Sequence, residues 1–361
     1  MTDNIETVLL AEYDSRRDLY AAFTAKLQDL IQDLLHERGI TVHSVTSRVK
    51  ARDDFRQKLL RPGSKYETLA DVTDIAGVRI TTYFADDVDA VAELVKSEFT
   101  VDQKNSIDKR ATLDPDRFGY LSPHHVVSLA PSRAELLEYR RFPALKAEIQ
   151  TRSILQHAWA EIEHDLGYKT SLSVPQAIRR RFSRLAGLLE LADQEFCAIR
   201  DELKRYEREV PQEIQRDPTA VRLDLASLTA YVTNSPLVTD TDQAIAALDA
   251  GTVSRDLKYL EFELAKYQIL GIETVDQLNE LLDLHRYEVV EFASLWLGPK
   301  RKRKRKFTVG ISLFYLSHML PAARKDAHLA SQVLVAGRIA GDPKKHAERH
   351  IAIYQDLQRS L

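Results

Sequence analysis

The sequence predicts an α/β (α+β) domain, a mixed β-sheet flanked by helices over residues 1–208, followed by an all-α domain over residues 209–361. Three observations predict it. Residues 145–152 alternate, with Leu145, Ala147, Ile149 and Thr151 on one face and Lys146, Glu148, Gln150 and Arg152 on the other, which is the period of a strand. From Ser153 the period becomes helical: Leu155, Ala158, Trp159, Ile162 and Leu166 form an apolar stripe, and His157, Glu161 and His164 a polar face. Beyond residue 218 only helical patterns remain.

Composition sets the bounds. The 361 residues, 44% hydrophobic and 29% charged, allow two domains or one elaborated domain and can bury a substantial core. A net charge of −3 gives no global field toward nucleic acid, so any anion site must come from clustered bases. The single cysteine, Cys197, excludes an intrachain disulfide and fits a reducing cytoplasm; it reads as a small core residue. The acidic start MTDNIETVLL lacks the basic region of a signal peptide, and no apolar run approaches the ~18 residues of a membrane span. The expectation is a cytoplasmic protein with no membrane contact.

Residues 5–38 read as an amphipathic helix burying Tyr20, Phe23, Leu27, Leu30, Leu34 and Leu35, and stopping at Gly39. A β-prone run, 41–47, leads into Arg48, Lys50 and Arg52, then a helix carrying Arg56 and Lys58. Residues 75–84 are β-branched and apolar enough for a central strand; Asp74 sits at its mouth, and Gly77 marks a close approach. A helix over 86–99, a polar segment over 102–117 and the run FGYLSPHHVV at 118–127 follow. Residues 175–206 form one long amphipathic helix, packing on the sheet or serving a homo-oligomer interface. Residues 209–218, with two prolines, read as a linker, and helices are expected at 220–234, 241–250, 254–270, 274–297, 311–320 and 326–361. The six bases of 301–306 are ordinarily a solvated loop and are otherwise the place for an RNA contact.

A polar strand face is ordinarily solvated, and a His/Glu row on a helix is ordinarily a surface ion pair. The spacing of His157, Glu161 and His164 is not the HExxH of zinc proteases. Neither a Walker P-loop nor a kinase Gly-rich loop with HRD occurs, so a generic ATPase or kinase has no support.

The words themselves are specific. EIQTRS at 148–153 and QHAWAEIEHDLGYK at 156–169 closely resemble the signature of the RelA/SpoT-type alarmone synthetases, E-x-Q-x-R-[TS] and then W-A-[ES]-x-E-H-x-x-x-Y-K. Further blocks follow the family in order: Ser47-Arg48-Val49-Lys50 with Lys58-Leu59; Asp74-Ile75 with Gly77, Arg79 and Ile80; and Gly119-Tyr120 with Ser122 and His124. Family members transfer the β,γ-pyrophosphate of ATP to the 3′-hydroxyl of a guanosine nucleotide. The resemblance implies a nucleotidyltransferase-like synthetase domain in which Arg48, Lys50, Lys58 and Arg79 hold ATP. It implies that Asp74 and Glu148 hold Mg²⁺ as the catalytic pair, with Glu148 also the candidate base. It places Tyr120, stacked on the acceptor base, with His124 and Gln150 at the acceptor, supported by Arg152, His157, Glu161 and Lys169. The chemistry is consistent: Arg and Lys donors suit a triphosphate, and magnesium takes one or two protein carboxylates.

Two positions depart from the family. Ala51 stands where Ser is frequent, and Leu121 where many members have Arg after the Tyr. Three functions therefore stay open. One is a short alarmone synthetase making (p)ppGpp from GDP or GTP in a stringent response. Another is a synthetase-like toxin of a toxin–antitoxin or phage-defence system, restrained by its C-terminal domain, that modifies the tRNA 3′ end or adenosine nucleotides. The last is an inactive nucleotide-binding sensor, against which the intact Asp74 and Glu148 count.

Overall fold

A computed structural model describes residues 2–61, 66–108, 122–168, 175–298 and 304–360. The chain divides into two compact units, Met1–Arg200 and Asp201–Leu361. The first unit runs α1 (Thr2–Glu37), β1 (Val42–Val49), α2 (Arg52–Leu59), β2 (Ala76–Thr82), α3 (Asp87–Glu98), β3 (Phe99–Val101), β4 (Ile107–Asp108), β5 (Pro123–Leu129), a single turn α4 (Pro131–Ala134), β6 (Ala147–Ser153), α5 (Ile154–Tyr168) and the start of α6 (Gln176–Arg216). The sheet order is β1-β2-β6-β5-β3, with β4 on β5. Within this sheet, among the described residues, only β2 and β6 pair in parallel, so the sheet is mixed.

Alternation decides which face is which. Ala147, Ile149, Thr151 and Ser153 of β6 are buried, whereas Glu148, Gln150 and Arg152 are only half-buried. On β2, Ala76, Val78 and Ile80 are buried, with Gly77 and Arg79 on the opposite face. The apolar face packs into one cluster with Tyr20, Phe23, Leu27, Leu30 and Leu35 of α1 and with Phe142. Fully burying each such side chain stabilises by about 1.5–3 kcal/mol. Polar clamps fix the angle of α1: Gln28 Nε2 donates to Val45 O (3.1 Å), and Ser47 Oγ donates to Gln28 Oε1 (2.6 Å). Phe55 of α2 is fully buried and stacks on Tyr13 at 4.7 Å. The Tyr13 hydroxyl donates to Lys50 O. The base-rich segment is thereby anchored to the core at both ends.

One expectation, for Cys197, is corrected in the first unit, and two apolar helix faces are partly uncovered. Ile162 and Leu166 of α5 are exposed, so its apolar stripe does not enter the core. On α6, Leu185, Leu188, Phe196 and Ile199 are each at least half exposed, while Ala186 and Asp193 point inward. Ser153 Oγ donates to Asp193 Oδ2 (2.7 Å), and Arg200 grips both oxygens of Asp86, with Nη1–Oδ1 at 2.9 Å. Cys197, expected in the core, is half-buried, its Sγ 3.5 Å from Asp86 Oδ1.

The linker expected at 209–218 is helical as far as Arg216, because α6 continues through Pro211. Proline removes one helical hydrogen bond, but Glu, Arg, Lys and Gln on either side are strong helix formers, and Val210 is fully buried.

The second unit holds α7 (Leu225–Asn234), α8 (Pro236–Ala247), β7 (Thr252–Ser254), α9 (Leu260–Ile269), α10 (Val275–Leu297), β8 (Lys306–Thr308), α11 (Ile311–Ala323), α12 (Ala327–Ala336) and α13 (Pro343–Ser360). Side chains of Asp224, Ser235, Thr274 and Asp326 cap the starts of α7, α8, α10 and α12. Leu228, Val238, Leu282, Phe292, Leu316 and Met319 are in its core. Two details depart from a purely helical reading. The helix expected over 326–361 is two helices, and β7 pairs with β8 in a parallel ribbon. Gly251 permits that ribbon: a Cβ there would lie 2.4 Å from Arg305 O. No helix among the described residues is long and apolar enough to cross a membrane.

Replacing Phe55 by Ala removes a fully buried ring that collapse cannot refill. The expected cost is about 3–5 kcal/mol, read as a lowered urea midpoint at unchanged slope.

Candidate active site

Register assembles the site. Glu148 lies beside Gly77, and Gln150 beside Arg79, across the β2–β6 pair. Arg48 of β1 lies opposite Gly77, and His124 of β5 opposite Gln150. Arg48, Arg79, His124, Glu148, Gln150 and Arg152 therefore share one face of the sheet. The close approach expected at Gly77 is made by the protein itself: a Cβ there would sit 3.6 Å from Arg48 Cγ.

Four of these side chains and Ser122 close a hydrogen-bonded ring. Arg152 Nε donates to Ser122 Oγ (3.1 Å), and Ser122 Oγ meets His124 Nε2 (3.0 Å). His124 Nδ1 meets Glu148 Oε1 (2.9 Å), and Gln150 Nε2 donates to Glu148 Oε2 (2.9 Å). Arg152 Nη2 donates to Gln150 Oε1 (3.2 Å) and completes the circuit. With a proton on His124 Nδ1, both arms of the ring end on the Glu148 carboxylate. Burial by itself raises the Glu148 carboxyl. The hydrogen bond and charge of His124, then Gln150 and the charge of Lys58, outweigh it and hold the group down at about 2. Glu148 is consequently ionised throughout the neutral range.

A second cluster stands at the mouth of β2. Asp74 meets Lys58 Nζ through Oδ1 (2.8 Å) and Lys50 Nζ through Oδ2 (3.1 Å). Lys58 thus touches one acid and lowers the other. Arg79 Nη1 pairs with Glu161 Oε1 (2.9 Å), and His157 Nδ1 lies 3.9 Å from the same oxygen. Burial and then the neighbouring Arg79 push the Arg152 guanidinium and the His157 imidazole downward. The face remains strongly cationic around the Glu148 carboxylate.

The donor set fits magnesium. Asp74 and Glu148 offer hard oxygens around the ammonium of Lys58, where a cation is already at home, and Mg²⁺ takes one or two protein carboxylates and keeps several waters. Among the described residues no group of three or more His, Cys, Asp or Glu is arranged to hold a metal ion.

Of the residues expected from the sequence, Arg48, Lys50, Lys58, Asp74, Arg79, His124, Glu148, Gln150, Arg152, His157 and Glu161 all belong to these two contact groups or the face between them. Tyr120, Leu121 and Lys169 lie outside the described residues, as does the 301–303 part of the basic run. Arg305 of that run is tied to Asp249 at 3.1 Å. Ser122 is quoted in the Gly119–His124 block without a role, and the ring gives it one. Its signal was its place two residues before His124, which on a strand puts both on one side.

Residues 47–173 match the region found in RelA / SpoT proteins. The chain is similar to GTP pyrophosphokinase YjbM of Bacillus subtilis (strain 168), at 32% identity over 166 residues, 45% of this chain and 74% of that one. It is also similar to GTP pyrophosphokinase YwaC of the same organism, at 29% over 174 residues, 47% of this chain and 79% of that one. Among solved structures, small alarmone synthetase 1 from Bacillus subtilis bound to its product pppGpp aligns at 27% identity and a TM-score of 0.45, over 54% of this chain and 99% of that one.

Ser122→Ala leaves Arg152 Nε and His124 Nε2 short of a partner. The expected loss in turnover is about 1–3 kcal/mol, or roughly five- to 150-fold, with a smaller change in KM. The Glu148 carboxyl sits below its ordinary unfolded value of about 4.3, so the stability it contributes is full above that value and lost as pH falls toward about 2. Acid unfolding followed by circular dichroism should therefore be shallower for Glu148→Gln than for the wild type over that window.

Proposed function

The chain belongs to the RelA/SpoT family of pyrophosphate-transferring synthetases, and on that premise we propose that it moves the β,γ-pyrophosphate of ATP to the 3′-hydroxyl of GDP or GTP, releasing AMP. The observation that carries this reading is Lys58, which contacts Asp74 at 2.8 Å and also depresses Glu148, so that cations and both acids meet at one end of one sheet face. The names of the curated relatives support the guanosine acceptor.

Arg48, Lys50, Lys58 and Arg79 bind the triphosphate and absorb the charge that builds on it. The 3′-oxygen attacks the β-phosphorus, the bond from that phosphorus to the α,β-bridging oxygen breaks, and its electron pair leaves with AMP. The hydroxyl proton goes to Glu148. A carboxylate held at about 2 is a weak base. Transfer of this kind has a loose transition state in which positioning and charge matter more than base strength. Magnesium, held by Asp74 and Glu148, would supply charge neutralisation on the moving phosphates. Gln150 and His124 fix the carboxylate.

Leu121 favours a second acceptor. With no arginine at that place, a nucleotide 3′ end embedded in tRNA competes with a free nucleotide for the same chemistry.

Purified protein given terminally labelled ATP and, in turn, GDP, GTP, ATP and bulk tRNA is expected to label GDP or GTP. Label on tRNA alone would move the assignment to the second acceptor, and label on nothing would leave a nucleotide-binding sensor. Glu148→Gln and Asp74→Asn are each expected to lower transfer by about a hundredfold or more while the folded circular-dichroism spectrum is retained. Near-wild-type activity in either would remove that acid from the centre. Chelation by EDTA should abolish transfer, and added Mg²⁺ should restore it.

A further inference from the structure

The second unit contains a cavity of about 230 Å³ between α9, β8 and the start of α11. Its walls are apolar and aromatic: Leu260 and Phe262 from α9, Val309 and Ile311 opposite, and Phe314. Tyr259 is the exposed member at the mouth, at 55%. Glu263 and Lys266, 6% and 1% exposed, line the same cavity and are its most deeply buried charged groups.

Lys266 Nζ donates to Glu263 Oε1 at 2.6 Å and lies 4.5 Å from the centre of the Phe314 ring. Glu263 Oε2 has no hydrogen-bond partner among the described residues. The nearby Ser317 hydroxyl is spent on Phe314 O at 2.8 Å. A buried ion pair contributes little to stability relative to apolar residues of the same size, and an unsatisfied buried carboxylate oxygen costs about 1–3 kcal/mol or more. Fold stability does not account for this pair.

We propose that this cavity is a binding site for a guanine base, which meets Lys266 Nζ and the two Glu263 oxygens through its O6, N1–H and 2-amino groups. Lys266 Nζ is a donor and the two Glu263 oxygens are acceptors; guanine presents acceptor, donor, donor along one planar edge. Adenine offers only one donor and one acceptor there and leaves a carboxylate oxygen unmet. Phe262, Phe314 and Ile311 flank the ring faces, where stacking contributes about 1–3 kcal/mol. The cavity is smaller than the ~300–1,000 Å³ of pockets that engulf drug-sized ligands, so a ring enters and its ribose remains at the Tyr259 mouth.

Isothermal titration of the full chain with guanosine, inosine and adenosine tests this. Guanosine should bind at least tenfold more tightly than adenosine, with inosine, which lacks the 2-amino group, between them. Thr308→Trp fills the cavity from β8, and should weaken this guanosine site at least tenfold while pyrophosphate transfer persists. Glu263→Leu combined with Lys266→Met keeps volume without charge and should erase the preference for guanosine. Equal binding of guanosine and adenosine, or guanosine binding unchanged in both variants, would overturn the proposal. In the latter case the base sits elsewhere, at the acceptor site for instance. Failure of pyrophosphate transfer appears in a different assay and leaves these titrations readable.

Discussion

The parallel pairing of β2 with β6 is the constraint on which the first unit depends. Side chains alternate along a strand, so a slip of one residue would send Glu148, Gln150 and Arg152 into the core and bring Ile149 and Thr151 to the surface. The buried partners on the other face, Val78, Ile80 and Ile149, make that slip prohibitive. Hydrophobic burial under the sheet therefore determines the chemistry above it, although no apolar residue takes part in that chemistry.

Above the sheet, charge is balanced locally. Arg48, Arg79 and Arg152 repel one another, and Glu148 and Glu161 are the acids that offset them. The Arg152–Ser122–His124–Glu148–Gln150 ring spreads one guanidinium over two routes to the same carboxylate. Rotation of Glu148 would break both routes at once. A group gripped in this way is positioned before any ligand arrives, the arrangement that electrostatic catalysis needs.

Much of this could be read from residue order. The alternation at 145–152 placed Glu148, Gln150 and Arg152 together, and the β-branched run after Asp74 located the strand beside them. What could not be read had physical reasons. Helical spacing shows that Ile162 and Leu166 share a side of α5, but not whether anything covers that side. Pro211 signals a break, and the buried Val210 beside it overrides the signal. Ser122 is a lone hydroxyl whose partners, Arg152 and His124, are distant or ambiguous in sequence. The β7–β8 ribbon joins segments some fifty residues apart through three residues each, too short for any periodicity to register. Lys266 and Glu263 look like an ordinary surface pair three apart on a helix, and only the fold reveals that they are buried.

The pairing of Lys50 and Lys58 with Asp74 means that the resting site supplies its own counter-ions. A polyphosphate that draws those ammonium groups toward itself strips Asp74 of neutralisation and sets a bare carboxylate beside phosphate. Any cation that then settles on Asp74 relieves the repulsion and tightens the hold on the polyphosphate. Thermodynamic reciprocity makes the polyphosphate tighten the hold on the cation by the same factor. Two ligands that never need to touch a common residue are thus made cooperative by a pair of lysines that can answer to only one of them.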